Sequence, residues 1–117
     1  MDKELHLKLT VRLYTDDNQR CFGPGIATLL ERVRAHKSLR SAAASMGMAY
    51  SKALKLLNRA EAALGFPLTM RTAGGRDGGG SVLTPQGKEW LRRYEAYRDA
   101  CIQANRRLYP EFFPEQR

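Results

Sequence analysis

Basic and hydrogen-bonding side chains recur at helical spacing in the middle of the chain. Lys52, Lys55 and Arg59 are three and four residues apart, so they share one face of a helix, and Tyr50 and Ser51 come just before them. Lysine suits guanine O6 and N7 or a phosphate, and serine can bond to any base. We expect the side chains in the first turns of this helix to reach base edges and Arg59 to contact phosphate. Those in the first turns are Tyr50, Ser51, Lys52 and Lys55. The alternative for each lysine is a solvated helix face.

Further candidates for DNA contact flank this segment on both sides. Arg40 and Ser41 begin the preceding helix, where N-terminal amides can hold a phosphate. Arg71, Thr72 and Arg76 follow it, with the two arginines at the base and tip of a predicted hairpin that could reach a minor groove or phosphate. Glycines in that hairpin would allow a close approach to a backbone. The alternative is a flexible surface loop that contacts nothing.

The distribution of charge supports a polyanionic partner. The chain has 117 residues and a formal net charge of +8, with a sequence pI of about 9.9. Residues 31–80 hold nine basic residues against three acidic ones, a net charge of +6. Such a concentration favours nucleic acid, most simply double-stranded DNA. The alternative is a basic protein with no special partner.

Length and composition exclude several classes of protein. A chain of 117 residues, 43% of them hydrophobic, is enough for one domain with one core and too short for a two-domain enzyme. No apolar run reaches the roughly 20 residues of a membrane span, and no apolar leader is visible at the N-terminus. Cys21 and Cys101 are expected to be free thiols in a reducing cytosol. We therefore expect a cytoplasmic protein, associated with the nucleoid through DNA.

No arrangement typical of catalysis or metal binding is present. Residues 74–81 read G-x-x-x-x-G-G-S, which lacks the lysine of a phosphate-binding loop. His6, His36 and the two cysteines have no zinc-ligand spacing. We expect neither an enzyme nor a cofactor or metal.

Periodicity and punctuation predict an α+β fold, mainly helical, in one domain over residues 1–117. Alternating apolar residues from Leu5 to Leu13 predict a strand, and a short return strand around Cys21 completes N-terminal strands within 1–22. Helices at about 25–36, 38–46 and 50–64 make a three-helix core over 25–65. Residues 66–84 form a hairpin, and a last helix covers 85–109, ended by Pro110 and Pro114.

The second and third predicted helices are close enough in sequence for a helix-turn-helix. Ala43 is small enough for two helix axes to approach, and Gly47, four residues later, suits the turn. In such a motif the second helix, here about 50–64, enters the major groove. The hairpin that follows is then a wing against the adjacent backbone or minor groove. The alternative is a plain helical hairpin rich in alanine.

The last helix carries a heptad-like apolar seam. Its members step by four and three residues, which is the spacing of a coiled-coil dimer: Trp90, Tyr94, Tyr97, Cys101, Ala104 and Leu108. The N-terminal strand is a second candidate for the dimer contact. A homodimer would place two recognition helices about 34 Å apart and read a palindromic operator.

One family shares these motifs over about residues 20–109. The segments Gly47–Ala53 and Arg71–Gly87, above all the glycine-rich run before Val82-Leu83-Thr84, resemble the N-terminal DNA-binding domain of the molybdate-responsive regulator ModE. A weaker similarity to LysR-type regulators rests on Ala42-Ala43 and on Leu83-Thr84-Pro85-Gln86-Gly87. Both resemblances imply a winged helix-turn-helix that dimerises and binds an operator.

The resemblance to ModE stops short of its effector domains. ModE also carries C-terminal oxyanion-binding domains, and nothing in these 117 residues could form them. We therefore expect a stand-alone relative that responds to a signal other than molybdate, or to none, the alternative being a piece of a longer protein. The function predicted is a sequence-specific transcriptional regulator. The alternatives are a non-specific architectural nucleic-acid binder and a protein-interaction module on a winged-helix scaffold.

Overall fold

A computed structural model describes residues 3–73 and 80–116 of the chain. Its elements, in chain order, are β1 (Leu13–Tyr14), β2 (Arg20–Phe22), α1 (Pro24–His36), α2 (Leu39–Ser45), α3 (Tyr50–Leu64), β3 (Thr69–Thr72), β4 (Gly80–Leu83), α4 (Pro85–Phe112) and a 3₁₀ turn (Pro114–Gln116). The strands pair as two antiparallel hairpins, β1 with β2 and β3 with β4. The mainly helical winged helix-turn-helix is confirmed.

Local sequence signals account for the ends of the helices. The Ser38 hydroxyl accepts a bond of 3.0 Å from the Ser41 amide at the start of α2. Thr84 does the same for the Gly87 amide at 2.9 Å, with Pro85 at the first position of α4. Gly65 ends α3 in the left-handed conformation, with φ of 84°.

The core surrounds α1, whose apolar stripe is fully buried. Leu29, Leu30 and Val33 have no exposed surface, and α2 and α3 pack against the same cluster. Phe22 closes one end, its ring edge-on to those of Trp90 and Tyr94 on α4. The first half of α4 is therefore part of the domain core.

The turn between α2 and α3 has the geometry that the alanine and glycine spacing predicts. Gly47 has φ of 64°, a conformation that L side chains rarely adopt. The Ala43 carbonyl accepts from the Met48 amide at 2.9 Å, which closes the turn. Ala43 is 1% exposed, so its small size allows the close approach of the two helices.

Polar side chains attach the wing to the helices. One Glu61 carboxylate oxygen on α3 accepts from the Leu68 amide at 2.7 Å, just before β3. The Thr84 hydroxyl donates to the Pro67 carbonyl at 2.7 Å. Strand β3 then pairs with β4 from Thr69 opposite Leu83 to Thr72 opposite Gly80. The position of the wing relative to α3 is therefore determined by bonds at its base.

The prediction of a strand from Leu5 to Leu13 is wrong for all but its last residue. Residues 3–12 belong to no strand, although exposure still alternates from half-buried Leu7 to exposed Lys8 and onward. A strand needs a hydrogen-bonded neighbour. Strand β2 supplies only three residues, and its ladder reaches β1 alone.

The predicted end of the last helix is also wrong. Pro110 lies inside α4, which continues to Phe112 rather than ending at 109. A proline in the last turn removes only one backbone bond, and the Phe113 amide still donates to the Tyr109 carbonyl at 3.0 Å. In the ranges that the structure describes, no helix is both long and apolar enough to cross a membrane.

Candidate nucleic-acid interface

The outer face of α3 is a polar stripe. Ser51, Lys55 and Asn58 are exposed and lie four and three residues apart, so they form one line along the helix. The opposite face, with Ala53 and Leu57, is buried in the core. Asn58 was not among the predicted site residues, although its spacing could have identified it. Asparagine, like glutamine, can form two hydrogen bonds with adenine, at N6 and N7.

Lys52 and Arg59 are exposed too, but they lie on the flank of α3 that faces the first hairpin. Both line a cleft together with Arg12 and Arg20. The three predicted cations of α3 are therefore divided between two surfaces, with Lys55 on the outer stripe.

The N-termini of α2 and α3 meet through a cation–π contact. The Arg40 guanidinium lies 4.1 Å from the centre of the Tyr50 ring. The Ser41 amide already donates to Ser38, which leaves the exposed Ser41 hydroxyl for any further bond. Arg40 thus lies beside the start of α3, and Ser41 follows it in the first turn of α2.

The wing presents two of its three predicted contact residues. Arg71 and Thr72 are exposed on β3, and the Thr72 hydroxyl accepts from the Gly80 amide at 3.2 Å. That bond joins β3 and β4 at the end of the strand pair where Thr72 lies opposite Gly80. Arg76 lies in residues 74–79, outside the described residues.

The cations of this surface carry no ion pairs within the described chain, whereas other basic residues do. Arg92 and Arg93 both bond to Glu89 on α4, at 2.8 and 2.9 Å. These bonds lower the pKa of Glu89 to about 2. Over residues 3–73 and 80–116, the basic residues of the predicted site form none: Arg40, Lys52, Lys55, Arg59 and Arg71. Their charge is therefore not neutralised locally.

The predicted dimer seam on α4 divides into two halves. Trp90 is half-buried and Tyr94 is 3% exposed, and the Tyr94 hydroxyl donates to the Val11 carbonyl at 2.7 Å. These two side chains therefore already make contacts within their own domain. Beyond them, Tyr97 is 59% and Leu108 48% exposed. Cys101 and Ala104, between those two, are half-buried.

No cluster of His, Cys, Asp or Glu side chains in the described ranges could hold a metal ion. The polar groups available on α3 and the wing are hydrogen-bond donors, acceptors and cations.

Comparison with models of known protein families gives a match. The family model described as "Bacterial regulatory helix-turn-helix protein, lysR family" matches residues 27–88, more than half of the chain. The matched segment runs from α1 through the helix-turn-helix and the wing to the start of α4. No curated protein is similar enough in sequence to count as a match.

Proposed function

Since the chain belongs to the lysR family of bacterial regulatory helix-turn-helix proteins, which makes it a DNA-binding transcription regulator, we propose that it binds a specific operator as a homodimer. The observation that carries this proposal is the outer stripe of α3. It combines exposed hydrogen-bonding groups with a lysine that forms no ion pair with any residue that the structure describes, on the second helix of the motif.

In this proposal α3 enters the major groove by its first turns. Ser51, Lys55 and Asn58 contact base edges, since each type has hydrogen-bonding groups that match them. Tyr50 supports Arg40, which with Ser41 binds phosphates beside the groove. Side chains on the flanks and the wing contact the adjacent backbone or minor groove: Lys52, Arg59, Arg71, Thr72 and Arg76.

We further propose that the dimer forms through the distal part of α4. Tyr97, Cys101, Ala104 and Leu108 continue the heptad spacing beyond the domain core. Two copies joined there would present two α3 helices to one face of the duplex, which matches a palindrome with half-sites about one helical turn, or a multiple, apart.

The resemblance to ModE supports this arrangement at a finer level than the lysR match. That resemblance rests on the glycine-rich run before Val82 and on the segment that begins at Gly47. We propose a ModE-like operator-binding domain that acts in the cytoplasm on the nucleoid.

The test is selection of fragmented genomic DNA on the purified protein, followed by sequencing. Enrichment of a palindromic motif supports a dimeric specific regulator, whose binding should survive an excess of competitor DNA of about 10³-fold. Uniform recovery would favour an architectural binder. No recovery at low salt would favour an interaction module.

The double variant Lys52→Glu/Lys55→Glu tests the role of α3. Both side chains are exposed, so we expect an unchanged circular dichroism spectrum and at least about 100-fold weaker binding to the selected DNA. Lys3→Glu/Lys8→Glu, which reverses two other exposed lysines far from α3 in the sequence, is the control for the same change of net charge. Unchanged binding by the double variant would contradict the assignment of α3.

A further inference from the structure

A cleft lies between the first hairpin, the start of α1 and the flank of α3. Its cavity volume is about 300 Å³, at the lower end of sites for small organic ligands. Its apolar lining comes from all three elements and the turn before α3: Leu13, Phe22, Ile26, Met48 and Leu56. Phe22 and Ile26 are core residues, so the floor of the cleft is the outer surface of the core.

Four cations line the same cleft. Arg12 and Arg20 come from the hairpin, and Lys52 and Arg59 come from α3. No carboxylate lines the cleft, and none of the four forms an ion pair within the described part of the chain. Burial raises the pKa of the Cys21 thiol in the cleft wall, so this group adds no negative charge. The local excess of positive charge is uncompensated.

Two glycines at the start of α1, which also line the cleft, leave space beside the Arg12 side chain and at the cleft wall. Gly23 is so near Arg12 that an added β-carbon would lie 3.3 Å from the Arg12 side chain. At Gly25 the same atom would meet nothing within 4 Å. No side chain caps α1, and its N-terminus contributes partial positive charge on the same side.

We propose that this cleft binds an amphipathic organic anion, with an aromatic or aliphatic body on the floor and a carboxylate among the four cations. A bare phosphate would leave the apolar floor exposed to water. A duplex presents a convex, polar backbone that does not fill a concave apolar cleft. The chemistry of the lining therefore selects a small molecule with both an apolar body and an anionic group.

The site also has a regulatory consequence, which rests on the proposed function. Lys52 and Arg59 belong to α3, so an anion in the cleft competes with DNA phosphate for the same two cations. Occupancy should weaken operator binding.

The test uses the full chain, labelled with ¹⁵N, and 2-naphthoate as the probe. We expect saturable shifts of the Cys21, Gly23 and Gly25 amides, and at least tenfold weaker binding of the neutral analogue 2-naphthamide and of inorganic phosphate. Equal affinity for naphthoate and naphthamide would show that the cations do not contribute to binding. Phosphate binding as tightly as naphthoate would show that the apolar floor does not contribute to binding. Either result, or shifts scattered over the surface, overturns the proposal.

Two variants within the cleft and one outside it locate the site. Arg20→Gln and Arg59→Gln should each weaken naphthoate binding at least threefold. Lys55→Gln, on the outer stripe of the same helix as Arg59, should leave naphthoate binding unchanged. Equal losses in all three variants would contradict the location. Because no DNA is present, failure here leaves the operator proposal intact, and failure of the genomic selection leaves the cleft intact.

Discussion

At the residue scale, one glycine determines how α4 meets the wing. A β-carbon added to Gly87 would lie 2.2 Å from the Leu68 carbonyl oxygen, which is backbone and cannot rotate away. The same Leu68 carbonyl accepts from the Thr84 amide at 3.0 Å. The absence of a side chain at Gly87 therefore lets α4 begin directly against the base of the wing.

Replacing this glycine should destabilise the protein. We expect Gly87→Ala to lower the free energy of unfolding by about 1–3 kcal/mol, because the added methyl group forces the backbone apart. Gly25→Ala is the matched control: it is also in the first turn of a helix, and its β-carbon meets nothing within 4 Å. Thermal unfolding of both variants measures the difference. Equal melting temperatures would contradict the close contact.

At the element scale, α1 and α4 meet through two carboxyl groups. Burial raises the pKa of Glu95 on α4, and a hydrogen bond with Glu31 on α1 raises it further. Arg98 and Arg34 act in the opposite direction and do not cancel the effect. The folded protein therefore retains a proton that the unfolded chain releases as the pH rises.

This pair makes stability depend on pH. Because the pKa of Glu95 is higher in the folded state, its contribution is complete below the ordinary carboxyl pKa and is lost as the pH rises through the raised value. We expect Glu95→Gln, which keeps a neutral hydrogen-bonding group, to be more stable than the wild type at pH 7 by up to about 1 kcal/mol. Near pH 3.5 the difference should disappear.

Denaturant unfolding at both pH values measures this effect. Glu111→Gln is the control, since Glu111 is an exposed glutamate on the same helix. A stability difference between wild type and Glu95→Gln that is the same at pH 3.5 and pH 7 would contradict the raised pKa of Glu95.

At the scale of the whole molecule, the domain is elongated. Its radius of gyration is 17.6 Å and its extents are 58 × 34 × 22 Å, whereas a compact chain of this length has a radius near 13 Å. Helix α4 has 28 residues, and its first half completes the core. Exposed apolar side chains continue along its distal half and end at Phe112, which is 73% exposed. A second copy would cover this stripe.

Charge on the stripe should separate the proposed dimer. We expect Tyr97→Glu/Leu108→Glu to be monomeric at concentrations where the wild type is dimeric, because the two-fold contact would place like charges in an apolar seam. Light scattering coupled to size-exclusion chromatography measures the mass. Gln103→Glu, exposed on the same helix and outside the heptad spacing, should remain dimeric. A wild type that is monomeric at high concentration would refute the seam.

Local signals in the sequence determined most of the helical framework. Ser38 and Thr84 bond to amides within three residues of themselves, and Gly47 and Gly65 adopt conformations that glycine tolerates best. Such signals act over a few bonds, so they can be read without knowing the fold. The end of α3 at Gly65 and the position of the turn before α3 at Gly47 were predictable for that reason.

Only the tertiary structure decided which amphipathic segments find partners. The alternation from Leu5 to Leu13 indicates one apolar face, but a ladder needs a neighbouring strand, which the short β2 provides only at its end. The heptad spacing on α4 likewise does not distinguish Trp90 and Tyr94, which pack on Phe22, from Tyr97, which is exposed. Both outcomes depend on contacts with residues distant in sequence.

The cations of α3 likewise combine a feature that the sequence predicts with one that only the packing decides. Spacing alone placed Lys52, Lys55 and Arg59 on the exposed side of one helix, and all three are exposed. That Lys52 and Arg59 share a cleft with Arg12 and Arg20 follows from the packing of α3 on the first hairpin. Periodicity reports the direction of a side chain within its own helix, whereas charges far apart in sequence come together only when the chain is packed.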